Sequence, residues 1–274
     1  MKKNLKIILP LFIVVLVGLV WLFKPAKKTV PVTQTPDTRK VEQINQLAVK
    51  DRPFVVLSPR SDGKEMTITI DKVTNASKIE YEVEYNTKDI ISGFFGTIDL
   101  SKETLPAVKK GLFGTCSKSV CRYDEGVSGG SLTLRFEGGD QPYVLKTDFN
   151  LQQMFDREGV FTSKDAKATL DVGRTGLPNA TYLIISNTMG LPASLSQGGP
   201  EAVEGEVVAG PYSFVGAASP GLKTATISIQ SKDDLTGAKL LFYNGQAYTE
   251  LKATISDTKI SAPVTALGTF VVIK

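Results

Sequence analysis

Histidine is absent from all 274 residues. That single absence excludes a Ser-His-Asp or Cys-His catalytic unit, a His-ligated zinc or haem, and an imidazole-based pH switch. The commonest catalytic acid–base goes with it. Cysteine is scarce, at two residues, and tryptophan occurs once. Low-complexity tracts are also missing. What is present, 42% apolar residues with 24 Gly and 14 Pro, is ordinary folded-protein composition and enough for two packed cores at this length. A wholly disordered chain is therefore excluded.

Positive charge is in slight excess overall, at +4, but it is unevenly placed. Residues 1–52 hold ten Lys or Arg against three acidic residues, a net of +7, which leaves 22 against 25, a net of −3, for residues 53–274. The remainder of the chain is mildly acidic, so no basic groove for nucleic acid is expected there, and no nucleic-acid partner.

Charge is wholly absent from Ile7 to Phe23, seventeen residues of which fourteen are Leu, Ile, Val or Phe. Each such residue favours insertion into a bilayer, and the run sums to roughly −4 to −8 kcal/mol as an upper estimate. Pro10 falls in the first turn, where a missing N–H costs least, and Lys6 and Lys24 can extend toward the interface beside Trp21. A cleaved signal peptide would need a shorter apolar stretch followed by small residues. Trp21-Leu22-Phe23-Lys24-Pro25 offers bulky ones instead. Residues 1–24 are therefore expected to be an uncleaved, single-pass signal anchor with the lipid bilayer as partner. Lysines flank the run on both sides, so the positive-inside rule nearly cancels. Residues 25–52, with Pro25, Pro31 and Pro36, are expected to be a spacer, with a short amphipathic helix over Val41–Ala48 as the alternative within it.

Cys116 and Cys121 lie in Gly114-Thr115-Cys116-Ser117-Lys118-Ser119-Val120-Cys121-Arg122-Tyr123. A short-loop disulfide is the leading reading, and closing so small a loop would restrict the unfolded chain by about 2 kcal/mol. Two reduced buried thiols are the plain alternative. A metal site would need two further soft ligands, and a redox-active pair would favour the Cys-X-X-Cys spacing. If the disulfide forms, the compartment is oxidising and extracytoplasmic.

From Pro53 onward apolar residues recur with period two. Met66, Ile68 and Ile70 alternate with threonines; Ile79, Tyr81, Val83 and Tyr85 alternate with Glu80, Glu82 and Glu84; Leu132, Leu134 and Phe136 alternate with Thr133 and Arg135. This is the pattern of half-buried antiparallel strands. A helix is expected from Ser101 to Lys110, kept short by Pro106. Further strands follow at 225–230, 240–243, 253–255, 260–264 and 270–273. Asn244-Gly245 predicts a hairpin with a type I′ turn. Residues 187–220, rich in Gly, Pro and Ser, read as a long loop. The expected fold class is all-β: an N-terminal transmembrane helix, a first antiparallel sandwich at 53–150, a linker at 151–164 and a second sandwich at 165–274.

The segments Ala238-Lys239-Leu240-Leu241-Phe242-Tyr243-Asn244-Gly245, Thr249-Glu250-Leu251, Ile260-Ser261-Ala262-Pro263-Val264 and Gly268-Thr269-Phe270-Val271-Val272 resemble the closing strands of immunoglobulin-like β-sandwich modules in bacterial cell-surface proteins. Gly210-Pro211-Tyr212-Ser213-Phe214 is similar to the entry into such modules. Arg52-Pro53-Phe54-Val55-Val56-Leu57, with the cysteine loop, resembles membrane-anchored bacterial proteins of that kind. The resemblance implies a surface location and a sandwich fold. It carries no catalytic motif, and fold alone does not establish function.

Glu80, Glu82 and Glu84 share one strand face and could hold Ca²⁺ or line a glycosidase cleft, against the plainer reading of a solvent-facing strand. Asp233-Asp234-Leu235-Thr236-Gly237 has two carboxylates and reads as a turn, as do Asn75-Ala76-Ser77 and Asn179-Ala180-Thr181 despite their acceptor pattern for glycosylation. No catalytic residue, cofactor site or metal site is expected. The expected function is a membrane-anchored extracytoplasmic β-sandwich protein that acts as a non-catalytic surface interaction or structural module toward a protein or glycan. Two alternatives stand beside it, a surface glycan hydrolase using a carboxylate pair and an assembly component that exchanges strands.

Overall fold

The computed structural model describes residues 43–118, 120–192, 205–218 and 221–274. The expected anchor at 1–24 and most of the expected spacer lie outside the described residues. Among the described residues no helix is long and apolar enough to cross a membrane. Glu42–Lys274 form one compact unit.

The alternating stretches become strands where the pattern places them. In order they are β1 (Phe54–Pro59), β2 (Glu65–Asp71), β3 (Lys78–Asn86), β4 (Ile91–Asp99), β5 (Ala107–Leu112), β6 (Gly114–Ser117), β7 (Val120–Tyr123), β8 (Gly129–Glu137) and β9 (Tyr143–Gln153). A one-turn helix α1 (Met154–Arg157) precedes β10 (Val160–Thr162), β11 (Ala168–Asp171), β12 (Tyr182–Asn187) and β13 (Val207–Gly216). The chain closes with β14 (Ala225–Gln230), β15 (Lys239–Tyr243), β16 (Tyr248–Glu250), β17 (Thr254–Ser256), β18 (Lys259–Val264) and β19 (Gly268–Ile273). The fold is all-β and these strands pair antiparallel.

Nine of these strands form one sheet in the order β16-β15-β19-β13-β12-β9-β8-β3-β4. A three-stranded sheet, β1-β2-β5, and a five-stranded sheet, β10-β11-β14-β18-β17, complete two layered halves. The two smaller sheets cover opposite faces of the large one. Strand β12 shows this directly, because Ile184 packs in the core with Leu57, Ile68 and Leu132, while its neighbours Leu183 and Ile185 pack in the core with Leu170, Ile227 and Phe270. Successive side chains on a strand point to opposite faces, so adjacent residues in different cores require a core on each side. β12 is accordingly buried on both faces, and its sequence Tyr-Leu-Ile-Ile-Ser-Asn runs apolar where a one-sided strand would alternate.

This arrangement differs from two sandwiches joined by a linker. The expected linker 151–164 contains the end of β9, helix α1 and β10, and β9 pairs with β12 from Phe149 to Gln153. Strands from both expected domains therefore share one hydrogen-bonded sheet. The expected helix at 101–110 is a turn followed by β5, which pairs with β2 from Glu65↔Leu112 to Ile70↔Ala107. The Ser101 hydroxyl bonds to Asp99 and caps no helix. Within the expected loop at 187–220, residues 207–216 form β13, an interior strand. Its register shifts between Val207 and Tyr212, where Gly210-Pro211 sits, and such bulges are how a sheet interior admits proline. Asn244-Gly245 does turn a hairpin, between β15 and β16, but over four residues: the Asn244 side chain accepts from the amides of Gln246 and Ala247.

The end of the expected spacer is docked; residues 43–48 form no helix, and a single 3-10 turn, Val49–Asp51, follows them. Asn45 donates its amide to the Val144 carbonyl, and its side chain pairs with both backbone groups of Lys146. Arg52 folds the segment back by donating to the carbonyls of Leu47 and Asn45 at 2.8 Å each.

Candidate functional site

Strand β9 is longer than its partner β12, and the docked segment 43–52 runs beside the part of β9 that β12 leaves unpaired. A cleft of about 220 Å³ opens at this step. On β9 the odd residues Leu145 and Phe149 pack into the core beside β1-β2-β5, so the even residues Lys146 and Asp148 face the other way, into the cleft. Ser163, Lys164 and Asp165, on the turn between β10 and β11, overhang it. Asn45 and Arg52 close one end, and Asn187 and Tyr212 line the wall.

Asp165 holds the overhang in place. Its Oδ1 accepts from the Ser163 hydroxyl at 2.6 Å and the Lys167 amide at 3.1 Å, and its Oδ2 accepts from the Tyr212 hydroxyl at 2.7 Å. Burial acts to raise the carboxyl pKa, but these three donors, with the nearby Lys167 charge, outweigh it and leave Asp165 below the ordinary value. Tyr212 is displaced strongly upward by burial and by the Asp165 carboxylate, so it stays a neutral donor.

The cations of the cleft are less completely matched. The Lys164 ammonium donates to the Gly130 carbonyl at 3.1 Å and lies 3.6 Å from Asp148. Arg52 is half-buried, its pKa is lowered by burial, and its bonds go to carbonyls rather than to a carboxylate. The Lys146 ammonium has no partner among the described residues. With Asp165 committed to the overhang and Asp148 set against Lys164, the cleft offers an anion the Lys146 charge with Arg52 beside it.

The residues singled out from the sequence stand elsewhere. Cys116 and Cys121 are bonded to each other, directly opposite in the β6–β7 hairpin. That hairpin is pinned through Tyr123, whose ring lies 5.5 Å from the Arg60 guanidinium and 4.7 Å from the Lys64 ammonium. Glu80 pairs with Lys78 at 2.6 Å and Glu82 with Arg135 at 3.0 Å, while Glu84 is exposed, as on a solvent-facing strand. Asp234 caps its own turn through Thr236 and pairs with Lys274 at 2.9 Å. Among the described residues no group of three or more acidic or cysteine side chains could hold a metal.

One segment contradicts the expectation that the chain holds no short nucleophile motif such as Gly-x-Ser-x-Gly. Gly126-Val127-Ser128-Gly129-Gly130 has the Gly-x-Ser-x-Gly spacing of a nucleophile elbow. Here it leads from a loop into β8, whereas the elbow needs a strand, a sharp turn and a helix, and no histidine exists to activate Ser128.

No family model, curated protein or solved structure matches this chain. The cleft therefore rests on its own geometry. Sequence reasoning missed Lys146, Lys164 and Asp165 because nothing local marks them; they converge only through the step between β9 and β12.

Proposed function

We propose that this chain is a single-pass, membrane-anchored protein whose β-rich unit stands outside the cytoplasm and holds, without catalysis, an anionic group of a surface glycan in the cleft beneath residues 163–167. The observation that carries the reading is the Lys146 ammonium, unpaired among the described residues in a walled cleft with Lys164 and Arg52 beside it. The volume of about 220 Å³ is smaller than a typical drug-sized pocket and suits one acidic sugar unit. The uncharged run Ile7–Phe23 supports the anchor, and the Cys116–Cys121 bond supports an oxidising compartment.

A hydrolase would need a carboxylic acid held protonated by its surroundings. The carboxylates displaced from their ordinary values, Asp62, Glu80, Asp99, Asp165 and Asp234, are all displaced downward, each held by hydrogen bonds from a neighbouring cation, hydroxyl or backbone amide. That pattern favours binding over glycoside hydrolysis.

Two experiments test the proposal. Titration of the full chain in detergent with oligogalacturonate should give saturable binding that Lys146→Glu weakens by about tenfold or more, equivalent to about 1.4 kcal/mol or more. A neutral glucan oligomer of equal length should not bind. Binding indifferent to Lys146→Glu, or none, would overturn the cleft as the binding site. For the compartment, an impermeant thiol reagent applied to intact cells should label Cys116 and Cys121 only after reduction, and external protease should degrade the β-rich unit. Free thiols together with protease protection would place the unit inside and overturn the anchored reading.

A further inference from the structure

A strand at the edge of a sheet presents an open row of amides and carbonyls, a template for another strand. Most of this protein's sheet edges are guarded. β10, β16 and β17 are three residues long, and β5 carries Lys109 and Lys110. β1 ends in Pro59 and meets Thr188 and Met189 along its other side. β4 is the exception. It is nine residues long, pairs only with β3 among the described residues, and has no charged residue from Ile90 to Ile98. Its exposed residues are Ile91, Gly93, Phe95 and Thr97, with Ile91 71% and Phe95 86% exposed, and Ile90 just before the strand is 67% exposed.

We propose that β4 pairs antiparallel with β4 of a second copy of this chain, about a two-fold axis at Phe95, joining two nine-stranded sheets edge to edge. Three features of the strand select its own copy. First, Phe95 and Gly93 lie beside Glu82 and Glu84 of β3 on the same face, so an incoming strand bearing carboxylates is repelled, and β4 bears none before Asp99. Second, an axis at Phe95 sets the two Phe95 rings opposite each other and carries each ring diagonally over Gly93 of the other strand. An aromatic ring above a strand glycine covers backbone that the glycine leaves bare. Third, the nine residues give a ladder of about 30 Å, and a two-fold axis makes the contact closed, so it ends at a dimer instead of propagating.

The test uses the full chain in a density-matched detergent. Sedimentation should give a concentration-dependent monomer–dimer equilibrium, and Phe95→Lys should weaken the dimer by about tenfold or more, since it removes the ring and sets two lysines opposite each other. Phe95 is exposed, so this variant should remain folded. Independently, Phe95→Cys should form a covalent dimer under mild oxidation, because opposed residues at such an axis bring their Cα atoms within disulfide reach, whereas Ile255→Cys on β17 should not. A monomer at every concentration overturns the proposal and leaves β4 to a different partner. A dimer unaffected by Phe95→Lys, or equal crosslinking at positions 95 and 255, also overturns it.

Discussion

Ile184→Ala and Ile185→Ala, substitutions at adjacent residues of one strand, should each lower stability by about 2–5 kcal/mol, and each should lower it in both halves of the molecule. Both side chains are fully buried, Ile184 in the core beside β1-β2-β5 and Ile185 in the core beside β10-β11-β14-β18-β17. Each truncation leaves a cavity in a different core. Because β12 is hydrogen-bonded to β9 on one side and β13 on the other, neither half can melt without stripping the strand that completes the other half. Hydrogen exchange across a urea gradient checks this. Peptides from β2 and β8 should lose protection at the same urea concentration as peptides from β14 and β18, and either substitution should shift both groups together. Two separate midpoints, each moved by only one substitution, would show that the halves unfold as independent domains.

Gly130→Ala should cost about 3 kcal/mol although alanine is the stiffer residue in the unfolded chain, an effect that alone would favour the substitution by up to about 1 kcal/mol. Gly130 is on β8, between β3 and β9, and a Cβ there would press into the Glu84 carbonyl oxygen and the Tyr85 Cα of β3. Strands on both sides leave the backbone little room to retreat. Gly130 also offers its carbonyl to Lys164, so a displaced β8 should loosen the overhang of the cleft as well. Thermal unfolding should show the loss, with Gly221→Ala as a control, since a Cβ there meets nothing within 4 Å. A melting temperature for Gly130→Ala equal to the control would mean that β3 and β8 part at no cost.

Many of the strands were legible because one-sided strands write their burial into the sequence. Met66-Thr67-Ile68-Thr69-Ile70 and Ile79 to Tyr85 alternate, and they form β2 and β3 in that register. Cys116 and Cys121 were close enough in sequence for a short-loop pairing to be the leading reading, and the hairpin sets them opposite each other. The readings that did not hold came from residues whose neighbours are distant in sequence. Lys109 and Lys110 suit a solvated helix face in isolation, and only β2 pulls them into a strand. Gly210-Pro211 suggests a loop until the shifted register of β13 against β19 accommodates it.

The candidate site was illegible for the same reason on a larger scale. Asn45, Lys146, Lys164 and Tyr212 are each unremarkable in their own segments, and the cleft exists only because β9 outruns β12 and the turn after β10 folds over the step. The sequence alone determined the all-β class, the positions of the alternating strands and an uncharged run at the N-terminus, because these follow from composition and short-range periodicity. Tertiary structure decided that the two halves share one sheet, that their cores lie on its opposite faces, and that β4 is an edge among the described residues. Those outcomes depend on which strand edges meet, and strand pairing is set by contacts far apart in the chain that no local pattern encodes.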